Sequence, residues 1–141
     1  MKTRIVIATI SIASLISSCH SDKNDHTVSY HAIYKRDTAH LTLTRYKDTF
    51  YGKLNVHRAG NIIDSGEVQG KITKDTLTGD YYYRPHGTFR KKRRPLALLA
   101  SGDSLIQGNG TEMEYMGIPY YAEGSIDFDS TTFIYLKSKL R

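Results

Sequence analysis

The chain has 141 residues, of which 39% are apolar, 11% aromatic and 24% charged, and its 20 basic and 14 acidic side chains leave a net charge of +6. A single cysteine excludes any disulfide within the chain. The length suits one domain with one core and excludes two.

Lys2 and Arg4 stand before an apolar segment, Ile5 to Ile16, that is diluted by Ala8, Thr9, Ser11, Ala13 and Ser14. A positive start and a short apolar stretch make a signal peptide, expected over residues 1–18 and cleaved. About a dozen apolar residues fall short of the ~20 that a membrane-spanning helix needs, so a permanent span is not expected. The four residues Ile16-Ser17-Ser18-Cys19 resemble the lipobox of bacterial lipoproteins. That resemblance implies a diacylglycerol on the Cys19 thiol, cleavage just before it, and acylation of the new amino terminus. With His20 rather than an aspartate next, it also implies export and sorting to the outer membrane. Two or more acyl chains make such an attachment effectively permanent, whereas one alone binds only marginally. Residues 19–26 then comprise the lipidated cysteine and a polar tether. Seven extended residues reach at most ~25 Å, so the domain over 27–141 hangs close to the membrane.

Lys47-Asp48-Thr49 recurs 27 residues later as Lys74-Asp75-Thr76, each followed by an apolar residue and a glycine. Gly102-Asp103-Ser104 and Asp129-Ser130 continue the series. Aspartate suits such turns because its side chain bonds its own backbone and it tolerates left-handed dihedrals. The repeat predicts nine strands, near 27–35, 39–46, 49–57, 65–73, 76–84, 94–101, 104–111, 120–128 and 131–137. Leu41 and Leu43 alternate with Thr42 and Thr44, and Phe50, Leu54 and Val56 with Tyr51, Lys53 and Asn55, as strands with one apolar face do.

Glycine falls on the inward face at Gly52, Gly70, Gly79 and Gly108, where strands coil sharply. The expected fold is therefore all-β, a small antiparallel up-and-down β-barrel of eight or nine strands, with a two-sheet β-sandwich as the alternative. The barrel resembles lipocalin-like barrels in shape alone, for no motif of that family is present. In such a meander the turns at Asp48, Asp75, Asp103 and Asp129 share one end, where the tether enters. Lys35, Arg36, Arg58 and the connection 85–93 share the other, facing away from the membrane.

Arg84, Arg90, Lys91, Lys92, Arg93 and Arg94 lie within eleven residues that contain no acid. With Arg58 they form a candidate anion-binding rim for phosphate- or sulfate-bearing glycans or lipids. Nothing resembles a nucleic-acid recognition motif, so no specific nucleic acid is expected. No two of His31, His40, His57 and His86 have the spacing that puts two imidazoles on one face, and no metal or other cofactor is expected. Gly-x-Ser-x-Gly elbows, phosphate loops and paired catalytic carboxylates are missing; Asp127 and Asp129 read as turn chemistry, and no catalytic residues are assigned. Tyr81 and Tyr83 should point inward and Tyr82 outward, which makes Tyr81 and Tyr83 candidate cavity residues unless the interior is filled solidly. The sequence thus predicts a membrane-anchored, non-enzymatic lipoprotein that contacts anionic envelope material. Its alternative is a lipocalin-like carrier of a small apolar ligand.

Overall fold

The computed structural model describes residues 26–130 and 132–139, so the signal segment and Cys19 lie outside the described residues. Among the described residues, ten strands run in chain order: β1 (His26–Tyr34), β2 (Asp37–Tyr46), β3 (Thr49–Arg58), β4 (Ile62–Thr73), β5 (Thr76–Arg84), β6 (Lys92–Ser101), β7 (Ser104–Gly108), β8 (Glu112–Tyr115), β9 (Ile118–Tyr121) and β10 (Ile134–Lys137). Eight of them close an antiparallel barrel in the order β1-β10-β7-β6-β5-β4-β3-β2, while β8 and β9 form a separate hairpin. The barrel expected from the sequence is present.

The repeated turns organise one end. Tyr46 pairs with Thr49, Thr73 with Thr76 and Ser101 with Ser104, which leaves two residues in each turn. The left-handed residue is the one before the aspartate: Lys47 (φ 53°), Lys74 (φ 56°) and Gly102 (φ 59°). Each aspartate instead offers its backbone carbonyl to the neighbouring hairpin. Ile72 donates to Asp48 at 2.7 Å, Ala100 to Asp75 at 2.7 Å and Lys137 to Asp103 at 3.1 Å. The hydroxyls of Thr49 and Ser104 donate back across their turns to the carbonyls of Tyr46 and Ser101, both at 2.8 Å. The repeat therefore encodes a ring of turns that closes this end of the barrel. His26 pairs with Arg45, so β1 begins at this end.

Two expectations fail on the same segment. The strand predicted over 120–128 is replaced by the β8–β9 hairpin and an irregular return, because Met116 (φ 50°) and Gly117 (φ 77°) make a two-residue hairpin turn and Gly124 (φ 72°) breaks the extended run beyond Tyr121. Pro119, unable to donate, sits on a strand with one neighbour. The chain consequently stays at the open end until β10 crosses back, so Asp129 lies there, opposite Asp48, Asp75 and Asp103. Asp127 does serve as turn chemistry, its Oδ1 accepting from the Asp129 N–H at 2.8 Å.

Alternation separates inside from outside on β1 to β4, whereas β6 buries both faces over Pro95–Leu98. Phe50, Leu41, Leu43, Val68, Leu77, Leu98, Leu105 and Tyr135 are fully buried. The outward residues Lys53, Asn55, Ser65, Glu67, Gln69 and Lys71 give β3 and β4 a polar wall, the reverse of a lipid-facing barrel. The inward glycines fall where strands approach closely. Gly70 and Gly79 are register partners, and a Cβ on Gly70 would stand 2.6 Å from the Gly79 Cα and 2.8 Å from Cε1 of Phe50. The Phe50 ring thus occupies space that only glycine leaves.

Candidate functional site

β7 and β10 are short, five and four residues, while β1 to β6 have nine to twelve. Where the short strands stop, the interior opens into a cavity of about 260 Å³ at the end opposite the turn ring. Its base is Leu54, Val56 and Leu96, inward positions of β3 and β6. Tyr81 and Tyr83 stack on one side, ring centroids 4.5 Å apart and planes within 8°. On the opposite side of the ring of strands, Phe133 packs edge-on against Tyr34 at 6.0 Å and tilted against Tyr135 at 5.8 Å.

Most of the polar groups here already have partners. The Tyr81 hydroxyl faces the carbonyls of Leu54 and Asp64, both at 3.1 Å, and burial, reinforced by the Asp64 carboxylate, pushes its pKa well up. Tyr135 donates to Oε1 of Gln107 at 3.1 Å and is likewise raised by burial. Asp64, itself buried, accepts from Nε of Arg58 at 3.0 Å and from the His86 backbone N–H at 3.1 Å, so it binds β3 to the β5–β6 connection. Arg58 also lies 3.8 Å from Asp37. Arg94 donates to Glu112 at 3.1 Å, which raises its pKa further and ties the β8–β9 hairpin to the mouth. Burial, with Glu112 nearby, raises Tyr121.

The basic run does not act as one cluster. Arg90 and Lys91 lie in the connection, but β6 begins at Lys92, two residues earlier than the sequence predicts, and alternation then divides the run. Lys92 and Arg94 take inward register opposite Tyr83 and Tyr81, whereas Arg93 faces out beside Tyr82. There Lys91 Nζ and the Arg93 guanidinium lie 4.7 and 4.8 Å from the Tyr82 ring centre. Arg93 Nε is also 3.1 Å from Oδ2 of buried Asp80, an ion pair whose N–H is not aimed at the oxygen, leaving Oδ2 without a hydrogen bond. Among the described residues, Arg84, Arg90, Lys91 and Lys92 have no carboxylate within ion-pair distance, whereas Arg58, Arg93 and Arg94 do.

The structure therefore brings Tyr81, Tyr83, Arg58 and Arg94 to one cavity and places Arg93 outside it. Sequence reasoning missed Tyr34, Gln107, Phe133 and Tyr135, whose convergence depends on β10 closing the barrel. It also missed a pairing that strand register makes: His31 lies opposite His40, and His40 meets His57 edge-on at 5.8 Å on the outer wall. Among the described residues, no three His, Cys, Asp or Glu side chains converge as a metal site.

No family model, curated protein or solved structure matches the chain. Its function is read from the chemistry of the mouth.

Proposed function

We propose that the protein is a lipid-anchored, non-enzymatic binding protein of the bacterial envelope that holds a small ligand in the mouth of its barrel. The observation that carries this reading is the cavity of about 260 Å³, concave, open at one end and lined mainly by tyrosine and aliphatic side chains, as small-molecule sites are. The anchor rests on the lipobox resemblance at residues 16–19. An anchor on Cys19 would enter at the turn ring and leave the mouth facing away from the membrane.

A second reading, contact with polyanionic glycans or lipids, is favoured by Arg84, Arg90, Lys91 and Lys92 alone, which have no carboxylate within ion-pair distance among the described residues. It ranks below the first because Arg58, Arg93 and Arg94 already have acidic neighbours.

A thermal-shift panel of small ligands, both aliphatic and aromatic, tests the first reading on wild type and Val56→Phe. A ligand at tenfold over its Kd stabilises the folded state by about 1.4 kcal/mol, and that gain should vanish when the added ring fills the cavity base. A panel that moves neither protein would reject it. Heparin-column elution of wild type against a variant with Arg84, Arg90, Lys91 and Lys92 changed to Ala tests the second; equal elution salt would remove it. Mass spectrometry of wild type and Cys19→Ser tests the anchor, which requires an acyl mass on the wild type only.

A further inference from the structure

Resting on the small-ligand reading above, we propose that the mouth cavity takes an uncharged, planar aromatic molecule of one or two fused rings bearing a hydrogen-bonding substituent. Size sets the first limit. An apolar protein cavity of ~150 Å³ takes benzene, and about 260 Å³ leaves room for a second fused ring or a substituent.

Shape and lining set the second. β5 is diametrically across the eight-strand ring from β1, so the Tyr81–Tyr83 stack and the Tyr34–Phe133–Tyr135 array face each other from opposite walls. A flat ring between such walls makes stacked or edge-on contacts on both sides, which a flexible aliphatic chain does not.

Charge sets the third. The two guanidiniums of the mouth, Arg58 and Arg94, meet three carboxylates, Asp37, Asp64 and Glu112, within ion-pair distance. An anionic guest would have to displace a carboxylate from a guanidinium that already holds one. The carboxylates are occupied too: besides Arg58, Asp64 accepts from the His86 N–H at 3.1 Å and Asp37 from the Ala59 N–H at 3.3 Å. Among the described residues, the lining groups left without a partner are neutral ones, the hydroxyls of Tyr34, Tyr83 and Tyr121 and the side-chain amide of Asn109. Tyr83 is the most informative of them, because its residue is only 8% exposed and its hydroxyl has no partner among the described residues. That hydroxyl is solvent-accessible rather than buried, since Asp80 Oδ2 is the one buried side-chain oxygen without a hydrogen bond among the described residues, so a guest can take the place of water on it.

One ring system in three charge states tests the proposal. The full chain carrying Cys19→Ser, which dispenses with detergent, is titrated with 2-naphthol, 2-naphthoate and 2-naphthylmethylammonium, and with octan-1-ol, by calorimetry or amide chemical shifts at neutral pH. The expected result is that 2-naphthol binds at least tenfold more tightly than each of the others. Val56→Phe, which fills the base, should weaken it at least tenfold, and Thr132→Phe in the mouth loop serves if Val56→Phe does not fold. Tyr83→Phe should weaken 2-naphthol at least threefold while leaving the melting temperature unchanged. Tighter binding of either ion would overturn the neutral assignment, and tighter binding of octan-1-ol the aromatic one, with the small-ligand reading intact in both cases. Binding of 2-naphthol that survives a cavity-filling variant would overturn the location. Failure of all four probes on the Cys19→Ser chain without a cavity substitution, together with an unmoved thermal-shift panel, would remove the small-ligand reading itself.

Discussion

Arg93 and Lys92 adjoin in the basic run, yet strand alternation sends Arg93 to the outer wall beside buried Asp80 while Lys92 stays exposed at the mouth. Removing one member of a buried ion pair leaves the other charge uncompensated. Arg93→Ala should therefore destabilise the fold by about 1–3 kcal/mol, and Lys92→Ala should leave the urea midpoint where it is; equal midpoints for the two variants would contradict this assignment. Gly70 faces a different constraint, since a methyl there meets Phe50 and the backbone of Gly79. Gly70→Ala should cost about 1–3 kcal/mol through overpacking. Gly102 occupies the left-handed position that Lys47 and Lys74 take in the sister turns. A left-handed L-residue costs roughly 1–2 kcal/mol, so Lys74→Gly should raise stability in chemical denaturation, partly offset by the entropy of a glycine in the unfolded chain.

Strand β10 contributes more to the fold than its four residues suggest. It pairs with β1 through Tyr30–Lys137 and His31–Leu136 and with β7 through Ile134–Ile106, Tyr135–Leu105 and Leu136–Ser104, and it buries Tyr135. Truncation after Phe133 exposes the β1 and β7 edges together and should abolish cooperative unfolding in a circular-dichroism melt. A sharp transition in the truncated chain would show that the seam is dispensable. The β8–β9 hairpin is the other element that reshapes the barrel. Among the described residues it lies against β5 and β6, where Pro95 and Ala97 are buried on the outer face, and it turns Met113, Tyr115, Ile118 and Tyr120 to solvent.

The whole molecule should be sensitive to alkali. Tyr81 and Tyr135 have pKa values raised by burial above the ordinary 10.0. Above pH 10 the unfolded chain loses these protons while the folded chain keeps them, so stability is fully present below pH 10 and falls as pH rises past it. The slope approaches about 1.4 kcal/mol per pH unit for each tyrosine, and the Tyr135→Phe variant should show a shallower fall in urea midpoints between pH 9 and 11.

Much of this architecture was legible in the chain. Alternation at Leu41 and Leu43, the Lys-Asp-Thr repeat and the inward glycines depend on local spacing, which a strand converts directly into faces, turns and close approaches. Tyr81 and Tyr83 came from the same period. The identity of the eighth barrel strand did not, because a four-residue strand after an irregular return has no periodicity of its own and pairs with partners about 100 and 30 residues away. That closure decided everything non-local about the mouth: which aromatic side chains face Tyr81 and Tyr83, how deep the cavity is, and which arginines meet carboxylates. Sequence by itself determined the faces of each strand, because they depend on neighbours along the chain. Only the tertiary structure decided the cavity and its charge balance, because these depend on register between strands far apart in sequence.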